Sequence, residues 1–139
     1  MGFLALHLSR QEEEWAQEWF EALKDSIMPR LTDKSQSVRN SAIRASANFF
    51  SGGDDSSDDL LEMLLWNMWH DPSVANRLAA VEALPINKDM VDHIITRVRD
   101  VKEKVRVQAL EVLRNKVDPL SDLAQEHFSE IVRCGLSVR

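Results

Sequence analysis

Tyrosine is missing from this 139-residue chain, cysteine occurs once, and glycine and proline occur four times each. A lone Cys134 excludes an intrachain disulfide and points to a reducing compartment, where it reads as an inert, partly buried thiol. Scarce Gly and Pro, beside frequent Ala, Leu, Glu and Arg, favour helix, because those side chains lose little rotamer freedom there. No stretch approaches the ~20 apolar residues that cross a bilayer. The opening MGFLALHL is shorter than that, has no basic cluster, and lacks the sixth-position Ser or Thr of a myristoylation signal. The chain reads as soluble and intracellular.

The signatures of catalysis are also missing. His7, His70, His93 and His127 have no second His or Cys at metal-ligand spacing. Gly52-Gly53 is followed by acids that repel phosphate, and no Gly-x-Ser-x-Gly occurs. The acidic loop SGGDDSSDD lacks the alternating ligand spacing of a calcium site and reads as a solvated linker. We expect no enzyme, no cofactor, no metal and no small-molecule substrate. Positive charge is short in one half only: residues 1–70 carry 6 basic and 12 acidic groups, and residues 71–139 carry 11 of each. With a net charge of -6 there is no global attraction to nucleic acid, so any such contact must be a local patch.

What the chain does have is a recurring frame. Asp33, Asp71 and Asp100 are each followed six residues later by Arg39, Arg77 and Arg106, then by Ala and an aliphatic residue. The copies begin 38 and 29 residues apart, within the range of helical repeats. Apolar residues precede each Asp at two, six and ten positions: Leu31, Ile27 and Leu23; Trp69, Leu65 and Leu61; Val98, Ile94 and Met90. That spacing marks one face of a helix.

Each copy therefore predicts a helix, a tight turn at the Asp, and a second helix. First helices are expected near 11–31, 58–70 and 89–99, and second helices near 35–50, 73–84 and 102–115. The units span about 11–50, 58–85 and 89–116, with a partial unit at 1–9 and another at 120–139. Pro72 is expected to start a second helix and Pro29 to loosen the end of a first one. Pro85 and the NKVDP stretch are breaks. Asp58 and Asp59 fall at a helix start, where carboxylates suit the dipole.

The frame, with Asp at the turn and Val-Arg in the second helix, resembles HEAT repeats. DKSQSVRNSAI, DPSVANRLAAVEAL, IITRVRDVKEKVRVQALEVL and the ending RCGLSVR are similar, in that order, to units of the G-type HEAT subunit of condensin. Asn76 departs from the usual valine. The resemblance covers roughly Leu23 to Arg139 and implies an all-α solenoid of stacked antiparallel helix pairs. It also implies that these residues are a segment of a longer scaffold. Its partners would be a kleisin chain, other condensin subunits and double-stranded DNA, in mitotic chromosome condensation in the nucleus. For Asp33, Arg39, Asp71, Arg77, Asp100 and Arg106 it implies a structural ladder that caps turns and joins layers.

Two surface features remain. Trp15, Trp19 and Leu23, and likewise Trp66 and Trp69, form helical stripes expected to be core. Seven cations between Arg97 and Lys116 oppose three acids, and Arg97, Arg99, Lys102 and Lys104 crowd one turn. These four are candidate DNA phosphate contacts. The other reading of the chain is a general HEAT adaptor with protein partners only.

Overall fold

The computed structural model of the chain describes residues 2–50, 58–116, 129, 132 and 133, with side chains from Glu14 onward except at Asp58 and Lys88. The expected linker at 51–57, Cys134 and nearly all of the partial unit at 120–139 lie outside the described residues. Among the described residues the chain is all-α, with six helices and no strand. They are α1 (Gly2–Ile27), α2 (Gln36–Ser46), α3 (Asp58–His70), α4 (Val74–Ala83), α5 (Lys88–Arg97) and α6 (Glu103–Lys116). None is long and apolar enough to cross a membrane.

Proline and asparagine set several of the boundaries. Pro29 cannot donate the next helical hydrogen bond, so α1 ends at Ile27 and the chain continues as a 3-10 turn over Met28–Thr32. Another 3-10 turn, Ala47–Phe50, follows α2. Pro85 lies just past Leu84, which ends α4 in extended backbone. Asn87 caps α5, its side chain accepting from the Met90 N–H at 2.9 Å. Pro72 does not open α4 as its sequence position suggests. It precedes Ser73, which takes the cap position, and the helix begins at Val74.

The core is assembled around α4. It packs against α3, α2 and α6, and α5 packs on α6. Ala79, Ala80 and Ala83 are buried on α4, and their small side chains let three neighbours approach at once. Met90, Val91, Ile94 and Ile95, with Val98 at its C-cap, form the inner face of α5, and Val105, Ala109, Val112 and Leu113 that of α6. Both sets follow the helical period. Each fully buried Leu, Ile or Val of this kind contributes about 1.5–3 kcal/mol.

Two sequence expectations fail here, and α3 turns a different row inward from the one that aligns. No break separates residues 1–9 from the first unit, because α1 runs without interruption from Gly2. In α3 the aligned row Leu61, Leu65 and Trp69 is not the inner one. Leu60, Leu64 and Met68 are completely buried instead, while Trp69 stands 38% exposed. This helix has two adjacent apolar rows, and periodicity alone cannot choose between neighbours 100° apart. The tryptophan stripes are not core either: Trp15 is 63% and Trp19 71% exposed, and Trp66 and Leu23 are exposed as well. The inward side of α1 is carried by Phe20, whose ring meets Phe49 at 4.7 Å, and by Ile27.

Candidate functional site

The three turns repeat one local geometry. Asp33, Asp71 and Asp100 each accept, through Oδ1, the backbone N–H two residues on, at 2.7, 2.8 and 2.9 Å. The arginine six residues later folds back, its Nη1 donating to the carbonyl oxygen of its own Asp at 2.7, 2.9 and 3.0 Å. A short polar side chain that can bond its own backbone is what such a turn requires.

Two of these arginines, Arg39 and Arg77, also reach across to the following helix pair. Arg39 donates Nε to Asp71 Oδ2 at 2.7 Å and Nη2 to Oδ1 at 3.2 Å. Arg77 does the same to Asp100, at 3.1 and 3.2 Å. Both are two-pronged bonds that demand the planar guanidinium. Burial pushes the carboxyls of Asp71 and Asp100 upward, yet both end below the ordinary carboxylate range. For Asp71 the bonds from Arg39, Asn76 and the Ser73 N–H prevail. For Asp100 the Lys102 N–H and Arg77 prevail, with the Arg97 charge adding to them. The bond to Asp71 raises the Arg39 guanidinium in turn.

Arg106 occupies the equivalent place in the last described pair. It folds back on Asp100, and its Nε is buried with no hydrogen-bond partner among the described residues. At the other end, Asp33 receives the Ser35 N–H.

Sequence reasoning missed two asparagines. Asn76, fully buried, donates Nδ2 to Asp71 Oδ2 at 3.0 Å and to the Gln36 carbonyl at 3.3 Å. Its Oδ1 accepts from Asn40 Nδ2 at 3.0 Å. An amide where the repeat frame has valine thus adds a second polar joint beside the Arg39–Asp71 pair. The only signal in the sequence was the mismatch itself.

The basic cluster divides. Lys102 and Lys104 are exposed, and so is Arg99, which has its own interaction. Arg97 is withdrawn: its Nη1 lies 3.4 Å from Asp100 Oδ2, its side chain is 14% exposed, and its guanidinium stacks 4.5 Å over the Trp69 ring. Desolvation lowers its pKa, partly offset by Asp100. Trp69 in turn takes His93 edge-on at 6.2 Å. Arg97 is therefore held against Asp100 and Trp69, unlike the three more exposed cations of the cluster. An open cleft of about 380 Å³ is lined by Trp69, Asp71, Pro72, Arg97, Arg99 and Val101 among others.

Among the described residues no group of three or more His, Cys, Asp or Glu could hold a metal ion. No family model matches the chain, and no match was found among curated proteins or solved structures.

Proposed function

We propose that this chain is a non-enzymatic HEAT-type scaffold segment of the condensin G-subunit kind. The observation that supports this reading is the pair of identical joints, Arg39–Asp71 and Arg77–Asp100, between successive helix pairs. On this reading each pair is one repeat of a curved solenoid, and the joints hold the layers in register. The solenoid holds a kleisin segment and neighbouring condensin subunits. It contributes to double-stranded DNA engagement in chromosome condensation, in the nucleus with a cytoplasmic pool. Arg99, Lys102 and Lys104 would touch phosphates without reading bases, since no recognition helix or aromatic platform accompanies them.

Titration with overlapping peptides covering a condensin kleisin tests the reading. One contiguous segment should bind, and failure of every segment would remove the condensin assignment. Duplex DNA should bind weakly and without sequence preference, with a dissociation constant of roughly 10⁻⁴ M or poorer at physiological salt. Lys102→Glu with Lys104→Glu should abolish binding at low salt and leave the helical signal unchanged. The withdrawal of Arg97 and the exposure of Trp15 and Trp19 favour a second reading, an adaptor for protein partners only. Absence of DNA binding even at low salt would select it.

A further inference from the structure

We propose that the outer face of α1, with the groove beside it, is a docking site for a partner helix whose apolar row is edged by basic residues. The proposal deepens the scaffold reading by naming where a partner sits and what chemistry it has. Trp15, Trp19 and Leu23 recur every four residues and stand 63%, 71% and 53% exposed in one row. An exposed aromatic row of this size marks an interaction surface, and tryptophan dominates the energetics of such surfaces. On one side the row opens into an apolar groove of about 300 Å³, lined by Phe20, Leu23, Ile27, Ala45, Asn48 and Phe49. Leu23 belongs to both, so row and groove form one continuous surface.

Charge decides the occupant. Along the other side of the row run Glu14, Glu18, Glu21 and Asp25, spaced four, three and four residues apart, which is one edge of the helix. Lys24 falls beyond that edge by helical register, away from the tryptophans. From Glu14 to Asp25 the edge is about 16 Å long at 1.5 Å per residue. A partner helix of about three turns matches that length. Its aliphatic side chains fill the groove and cover the tryptophans, and its Lys or Arg residues align with the acidic edge. An acidic helix would set like charge against this edge, so the edge disfavours it.

The test uses the full chain and two labelled 18-residue peptides. Both carry the same amphipathic leucine pattern; one has lysine and the other glutamate along the flanking edges. Fluorescence anisotropy should show the lysine peptide binding at least tenfold tighter than the glutamate peptide, with the preference shrinking as salt rises. Trp19→Ala should weaken the lysine peptide by tenfold or more while circular dichroism stays unchanged. Glu18→Lys with Asp25→Lys should reduce or reverse the preference. Equal binding of both peptides, or no effect of Trp19→Ala, would overturn the proposal. So would concentration-dependent self-association in sedimentation that Trp19→Ala abolishes, since the face would then belong to a second copy. Failure here leaves the Arg–Asp joints standing, and failure of the kleisin titration leaves this site standing.

Discussion

Arg77 donates Nε and Nη2 to the two carboxylate oxygens of Asp100 and its third nitrogen, Nη1, to the carbonyl of Asp71, so one side chain ties two turns together. Both partners are buried. Removing one member of a buried pair strands the other, which makes this the most consequential single side chain among the joints.

Arg77→Ala is expected to lower stability by about 3 kcal/mol, toward the low end for a broken buried pair because Arg97 still faces Asp100. Arg39→Ala strands Asp71, which keeps Asn76 as a donor, and should cost about 1–3 kcal/mol. Urea denaturation of both variants checks the size and the order. An unchanged midpoint for Arg77→Ala would show that the joint contributes nothing.

Stability should depend on acid in a defined direction. Asp71 and Asp100 are held below the ordinary carboxylate value of about 3.9, so the unfolded chain takes up their protons first as pH falls. Their contribution is whole above the unfolded value and is lost as pH drops through the folded values. Denaturation midpoints should be level in this respect from pH 7 to 5 and fall below about pH 4. The deficit of Asp71→Asn against the parent should narrow over the same fall. A deficit that persists undiminished at pH 2 would contradict the assignment.

Asn76→Val restores the residue that the repeat frame favours and should nonetheless destabilise. It takes the Asn76 acceptor from Asn40 Nδ2 and removes a donor from Asp71, a loss of about 1–3 kcal/mol. Thermal melting beside a neutral control such as Ser41→Ala, an exposed position on α2, measures it. A valine variant as stable as the parent would reduce the asparagine network to ornament.

Asn67 offers the opposite case. It is completely buried, its Nδ2 donates to the Met63 carbonyl at 2.9 Å, and its Oδ1 has no partner among the described residues. Asn67→Leu exchanges an unmet acceptor for apolar contact and should be neutral or stabilising by up to about 1 kcal/mol. A large loss would mean that the amide orients α3 in a way its bonds do not reveal.

Much of the helix plan was legible because Asp, Arg and Pro act through their own local bonds. Asp71 and Arg77, six apart, bond within their own turn, and Pro29 removes a helical donor at the end of α1. The choice between the Leu61 and Leu60 rows of α3 was not legible, since it depends on which neighbours arrive and not on the helix itself. The tryptophans misled for a similar reason. An apolar stripe states that a face wants cover, and Trp15 and Trp19 face outward all the same. Arg97 looked like surface charge in a basic run, and only the fold brings Trp69 beneath it.

The joints have a consequence for how such a chain can change length. Arg39 and Asp71 lie 32 residues apart, Arg77 and Asp100 only 23, yet each pair makes the same two bonds. The number of residues between joined partners therefore does not set the joint; the step from Asp to its own Arg does. One residue added between Asp71 and Arg77 would swing the guanidinium about 100° around α4, at 3.6 residues per turn, and uncouple the layer. The spacing between joined pairs differs, whereas the six-residue step that aims the charge is the same at all three turns.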